Sequence, residues 1–244
     1  MSRIVFGIHP VKELLEQRPE DVERLHVAQS AGRAVAEVLD RARAAGVRGR
    51  PAPRGELDRL AAGGNHQGVV AEVAEYRYSD LEDLLEPGPV PPLLVILDGI
   101  EDPQNLGAIV RSAHALGATG VVIPQDRAAS VTAAASKASA GAIEKARIAR
   151  VVNLSRAIER IQKAGAWVAA LEARGEKPLW QADLSGPVAL VVGSEGKGIR
   201  PLVRSHCDLS VTIPMGGGLG SLNASAAAAI ALYEISRQRR RLVP

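Results

Sequence analysis

Five short apolar runs in the last two-thirds of the chain restrict its fold more than any other feature. They are LLVILD (93–98), GVVIP (120–124), AWVAAL (166–171), VALVVG (188–193) and LSVTIP (209–214). All are rich in aliphatic residues and lack a clean alternation of apolar and polar positions, the pattern of strands buried on both faces of a parallel sheet. The segments between them read as helices: Asp102-Pro103 supplies an N-cap and first position, Gly117 a C-cap, and NLSRAIERIQKAG runs from Asn153 to Gly165. The pattern predicts a doubly wound α/β domain over 93–244. Upstream, VKELLEQ (11–17), LHVAQ (25–29), AVAEVLDRARAAG (34–46), ELDRLA (56–61) and GVVAEVA (68–74) alternate helix-like and strand-like stretches, which predicts a small α/β unit over 1–75. YRYSDLEDLLEPGPVPP (76–92) is acidic and then proline-rich, and its prolines predict a linker.

Two domains suit a chain of 244 residues with 46% apolar and 23% charged side chains. Aromatic residues make up only 2%, so the core is aliphatic and base-stacking platforms are scarce. A single cysteine, Cys207, excludes an intrachain disulfide and a cysteine-rich zinc site, and reads as a small hydrophobe at a helix end. His9, His26, His66, His114 and His206 show no metal-ligand spacing, so no metal is expected. No long apolar span is present and MSRIVFGIHP lacks the blocks of a signal peptide; the expected location is cytoplasmic, with no membrane partner. By segment, 1–75 hold eleven Lys/Arg against eleven Asp/Glu, 76–92 one against four, and 93–244 eighteen against twelve. The excess positive charge therefore lies in the larger domain. Arg237, Arg239, Arg240 and Arg241 form a basic end that reads either as a phosphate contact or as a solvated helix terminus.

Three glycine-bearing segments begin where an apolar run ends and lead into helix-like sequence: LDGIEDPQNLGAIVRSAHALGA (97–118), LVVGSEGKGIRPLV (190–203) and IPMGGGLGSLNASAAAAIAL (213–232). Open α/β sheets gather ligands at such strand ends. Gly193-Ser194-Glu195-Gly196-Lys197-Gly198 lacks the spacing and the following Ser or Thr of a nucleotide-triphosphate loop. Gly216-Gly217-Gly218-Leu219-Gly220-Ser221 does not fit the dinucleotide fingerprint, because Ser221 and Asn223 stand where its last glycine is needed. Arg111, on a helix of otherwise small or apolar neighbours, wants an anionic partner, either a ligand or Glu101 or Asp102.

In order, the three segments resemble the motifs of the SpoU-type (SPOUT class) RNA ribose 2′-O-methyltransferases, over nearly the whole chain. The resemblance implies a C-terminal trefoil knot, which strand pattern alone does not reveal, and S-adenosylmethionine as cofactor. It matches Asn105 and Arg111 to the polar residues of the first motif, and Glu195, Ser221 and Asn223 to those of the second and third. Gly193, Ile213 and Leu222, with Gly196 and Met215, correspond to positions whose backbone holds the cofactor. The family's Arg has been cast as a general base. Since a guanidinium stays protonated in proteins, the favoured role for Arg111 is to grip the phosphate beside the target ribose, with the base role as alternative. Ser221 has a competing role as cap of the Ala-rich last helix.

FGIHPVKELLE (6–16) and GGNHQGVVAEV (63–73) resemble the ribosomal-protein L30e-like substrate-binding domain of the large-subunit rRNA guanosine methyltransferases in this family. His66 then belongs either to RNA binding or to a turn. This resemblance implies 23S rRNA as the partner, a guanosine as the target, and a homodimer formed through the knotted domain in which Arg111 of one subunit completes the site of the other. DNA is not expected. A tRNA methyltransferase and a noncatalytic RNA-binding or ribosome-assembly protein are the alternatives. The Ala-rich stretches 130–143 and 223–235 suit close helix packing, whether between subunits or inside the fold.

Overall fold

The computed structural model describes residues 3–29, 32–88, 90–217 and 220–240; Gly218, Leu219 and Arg241, singled out above, lie outside them. The chain runs β1 (Arg3–Phe6), α1 (Ile8–Gln17), β2 (Val22–Ala28), α2 (Arg33–Ala44), β3 (Gly49–Ala52), α3 (Arg54–Leu60), β4 (Val69–Val73) and α4 (Leu81–Leu85). It continues with β5 (Leu93–Asp98), α5 (Pro103–Ala115), β6 (Gly120–Pro124), α6 (Ala133–Ala138), α7 (Ala142–Lys145), β7 (Ile148–Val151), α8 (Leu154–Lys163), β8 (Trp167–Leu171) and β9 (Lys177–Pro178). β10 (Val188–Gly193), α9 (Pro201–Arg204), β11 (Leu209–Thr212) and α10 (Ala224–Arg240) complete it. Two compact units result: Met1–Arg77 with Ser130–Lys145, and Tyr78–Ala129 with Ala146–Pro244.

The first unit is a four-stranded sheet in the order β1-β4-β2-β3, with β4 antiparallel to both neighbours and β3 parallel to β2. α1 and α2 bury Val11, Leu14 and Leu15 and Val35, Val38 and Ala42, at helical spacing, against Val5, Leu25, Val27, Val69, Ala71 and Val73 of the strands. His66 holds the turn into β4: its Nδ1 accepts from Gly68 N at 2.9 Å and its Nε2 lies 3.0 Å from Asp58 Oδ1, which places the ring proton on Nε2. Gln67 (φ 54°) and Gly68 (φ 84°) make the reversal. His66 thus performs the turn role.

Residues 130–145, read from sequence as part of the second domain, complete the first unit instead. α6 packs on β1 and α7 on α1. Glu144 anchors them. Its carboxylate, with a side chain 0% exposed, accepts from Arg3 Nη1 at 2.8 Å, Arg3 Nη2 at 2.6 Å, Ser136 Oγ at 2.9 Å and also from Arg18. Burial opposes ionisation of Glu144, but hydrogen bonds and charge from Arg3, then Arg18 and Ser136, outweigh it and hold the carboxyl below its ordinary value. The depressed value means that this anchor stabilises the fold above the ordinary carboxylate range and is lost as pH falls through the lower folded value. Glu144→Gln leaves two guanidiniums facing a neutral group, and the expected cost is about 3–5 kcal/mol. Thermal unfolding should show a lowered Tm for the variant at pH 7, with the difference from wild type shrinking once the pH drops below about 4.

The second unit is a seven-stranded sheet in the order β7-β6-β5-β10-β8-β11-β9, and every pairing among its described residues is parallel. Four expected runs became β5, β6, β8 and β10 within a residue, and LSVTIP gave the shorter β11. α4, α8 and α9 cover Leu94, Ile96, Val122, Ala149, Val168, Ala170, Ala189 and Val191 on one face. α5 and α10 pack on each other and on strands of the sheet. Asp102 and Asn153 cap α5 and α8 as expected, accepting from Gln104 N at 2.9 Å and Arg156 N at 3.1 Å. The segment 76–92, expected as a linker, carries α4, whose Leu81 and Leu84 sink into this core. Gly120 permits it, since a Cβ there would stand 2.4 Å from a Leu84 methyl.

Candidate functional site

The site begins with strand register. β10 lies between β5 and β8, and Gly193, the last residue of β10, pairs with Asp98, the last of β5. The loops of the first and second glycine motifs therefore leave the sheet side by side. Asp98, 1% exposed, accepts from Arg200 N and Arg200 Nε, both at 2.7 Å, which ties the end of β5 to the far side of the second loop. That loop closes on itself through Gly198 N to Ser194 O at 2.8 Å and Ser194 N to Gly198 O at 3.2 Å, with Gly196 and Gly198 at φ 77° and 67°. Gly193 must be glycine for reasons of space: a Cβ would lie 2.2 Å from Gly198 C and 2.4 Å from Ile199 N.

Three of the expected polar residues meet here. Asn105 Nδ2 donates to Glu195 Oε1 at 2.9 Å, and Asn223 Nδ2 donates to the same oxygen at 2.5 Å and to Asn105 Oδ1 at 3.0 Å. One polar residue from each motif thus forms a single cluster. Asn223 also caps α10, its Oδ1 accepting from Ser225 N at 3.0 Å and Ala226 N at 3.2 Å. Capping thus falls to Asn223, and Ser221 lines the neighbouring cavity.

That cavity, about 530 Å³, holds all five expected cofactor-binding positions in its wall: Gly193, Gly196, Ile213, Met215 and Leu222. Its size is that of a small-molecule site. Leu171, Glu172, Ala173 and Arg174 add a wall that the sequence reading did not identify. Their signal was their place at the C-terminal end of β8, the same signal that marked the glycine loops. A second cavity of about 610 Å³ shares Ser194, Glu195, Lys197 and Gly198 with the first and extends to Glu101, Asn105 and Arg127.

Arg111 does not join the cluster within its own chain. It lies six positions after Asn105, and at about 100° per residue the two side chains leave α5 in directions about 120° apart. Arg111 is exposed, makes no hydrogen bond or ion pair among the described residues, and lines neither cavity. The intrachain pairing with Glu101 or Asp102 is not formed. At the C-terminal end, Arg237 is held by Glu234 at 2.6 and 2.7 Å, and Arg239 donates to the carbonyls of Pro91, Pro92 and Gly186. Those two guanidiniums are engaged within the protein. Burial pushes the Cys207 thiol up to about 12, as befits a packing residue. Among the described residues no group of three His, Cys, Asp or Glu side chains is arranged to hold a metal, and no helix is long and apolar enough to cross a membrane.

The sequence model of the SpoU rRNA Methylase family matches residues 92–233, and that for RNA 2′-O ribose methyltransferase substrate binding matches residues 4–79. The chain belongs to the SpoU rRNA methylase family. It is 46% identical to an uncharacterized tRNA/rRNA methyltransferase of Mycolicibacterium vanbaalenii, over 98% of this chain and 77% of that one. It is 42% identical to the 23S rRNA (guanosine-2′-O-)-methyltransferase RlmB of Yersinia pestis, over 98% of both. The crystal structure of the SpoU methyltransferase AviRb from Streptomyces viridochromogenes in complex with AdoMet superposes with a TM-score of 0.82 at 29% identity, covering 98% of this chain and 91% of that one. In this SpoU family member, Gly193→Ala should push the second loop off its seat. The expected result is a measurably lower Tm, by the equivalent of about 1–3 kcal/mol, and at least ten-fold weaker cofactor binding by calorimetry.

Proposed function

We propose that this chain transfers a methyl group from S-adenosylmethionine to the ribose 2′-oxygen of a guanosine in 23S rRNA. The observation that carries the reading is the convergence of the three motifs: a cavity walled by Gly193, Gly196, Ile213, Met215 and Leu222 adjoins a cluster made by Asn105, Glu195 and Asn223. The cavity fits such a cofactor. Leu171, Val192, Ile199 and Ile213 offer aliphatic cover for an adenine. When bound, the sulfonium supplies an already activated methyl group. The protein's own task is then to orient the 2′-hydroxyl and exclude water.

In this reading Gly193, Gly196, Ile213, Met215 and Leu222 hold the cofactor. Asn105, Glu195, Ser221 and Asn223 shape the loops and position the target nucleoside. Arg111, a fixed cation, orients and stabilises charge at the phosphate beside the target ribose. Its exposure, with no hydrogen bond or ion pair among the described residues, supports a homodimer through this domain, where the Arg111 of one subunit completes the site of the other. α10 offers a matching surface, with Ile230 43% and Tyr233 62% exposed one turn apart. The likeness of the chain to SpoU methyltransferase structures supports the trefoil knot of the SPOUT fold. The mixed sheet and helices of residues 3–73 support an L30e-like RNA-binding role for the first unit, in a cytoplasmic enzyme.

Incubation of the protein with labelled S-adenosylmethionine and unmodified 23S rRNA, followed by nuclease digestion and mass spectrometry, should yield 2′-O-methylguanosine. Arg111→Ala should lower kcat by about 10²-fold or more with cofactor affinity unchanged. Methylation of tRNA alone, or at a base rather than a ribose, would contradict the reading.

A further inference from the structure

The second cavity carries charges that the fold itself does not use. Asp98 and Arg200 are paired with each other, the Asp102 carboxylate caps α5, and Glu195 holds Asn105 and Asn223. Glu101, Arg127 and Lys197 also line the cavity, and among the described residues none of these three makes a hydrogen bond or ion pair through its side chain. A cavity wall bearing both an unspent carboxylate and unspent cations is built for a ligand with both donor and acceptor edges.

Arg127 adds a second, independent observation. Its backbone sits at φ 56°, in the left-handed region that non-glycine residues adopt at a cost and that glycine adopts freely. Nothing in the loop after β6 needs an arginine side chain for packing, since the residue is exposed. The strain is tolerated at a residue that lines a cavity next to the cofactor wall.

Resting on the function proposed above, we infer that the second cavity seats the target guanine. Arg127 reads its O6/N7 edge and the Glu101 carboxylate accepts from its N1–H and N2–H groups. Of the four RNA bases, only guanine presents two adjacent acceptors on one edge and two adjacent donors on another. Arginine bidentate to O6 and N7 is the commonest specific base contact, and a carboxylate is an acceptor-only group suited to paired N–H donors. Enzymes that act on one nucleotide present it out of its stack and read it by its exposed edges. Lys197, on the wall common to both cavities, supplies positive charge for the adjoining phosphate.

The test uses full-length protein and rRNA fragments carrying guanosine, inosine or 7-deazaguanosine at the methylated position, located first with wild-type enzyme. Inosine removes the N2 donor and 7-deazaguanosine the N7 acceptor. With wild-type enzyme each analogue should lower kcat/KM by about ten-fold. Arg127→Gly should lower kcat/KM for guanosine and no longer distinguish 7-deazaguanosine, while its Tm holds or rises because the strained residue becomes glycine. Glu101→Gln should no longer distinguish inosine but should still penalise 7-deazaguanosine. Analogue penalties that persist unchanged in both variants, or that are absent from the wild type, would overturn the inference while leaving the methyltransferase reading intact. Failure of wild-type enzyme to methylate any guanosine of rRNA would instead remove the reading and the guanine pocket with it.

Discussion

The parallel pairing of β10 with β5 is the constraint on which the rest of the site depends. These strands lie about ninety residues apart in sequence, yet they pair in register from Val188 with Leu93 to Gly193 with Asp98. Every functional feature follows from that alignment. It brings the two loops out at one end of the sheet, lets the buried Asp98 carboxylate grip Arg200 from beneath, and makes Gly193 approach the Gly198–Ile199 backbone so closely that no side chain fits. Asn223, which caps the N-terminus of α10, then joins the first and second motifs in the same set of hydrogen bonds.

In the second unit several guanidiniums are spent on structure: Arg204 on Glu172 and Glu176, Arg237 on Glu234, Arg239 on three backbone carbonyls. Around the cavities, Glu101, Arg127 and Lys197 make no side-chain hydrogen bond or ion pair among the described residues, and Arg111 stands exposed on α5. Charges left without intramolecular partners are the ones available to a ligand or a second subunit. The first unit spends its buried charge differently, on fixing residues 130–145 to β1 and α1 through Glu144.

Much of this was legible in the sequence, because the strongest signals are local. LLVILD, GVVIP and VALVVG are buried on both faces, so their apolar runs coincide with strands, and Asp102-Pro103 and Asn153 announce helix starts through capping chemistry. What was hidden depends on partners distant in sequence. IARV (148–151) is half-exposed, follows Lys145 and Arg147 and contains Arg150, so nothing marked it as the edge strand β7. α4 sits in an acidic, proline-flanked stretch, and its place in the core follows from the room that Gly120 leaves for Leu84. The affiliation of 130–145 rests on a carboxylate, Glu144, whose two arginines lie more than 120 residues upstream. At the site, the glycine motifs identified the cavity's floor, whereas the wall at Leu171–Arg174 and the strained Arg127 required the sheet order to bring them in.

In the proposed function, the cavity built around Gly193 is the cofactor's seat and the Asn105–Glu195–Asn223 cluster marks the reacting end. A crystal structure of the protein with S-adenosylhomocysteine bound tests it most directly. The adenine should lie against Ile213 and Leu222, with main-chain hydrogen bonds from the loops and the sulfur directed toward that cluster. The ligand seated instead in the second cavity, between Glu101 and Arg127, would overturn this assignment.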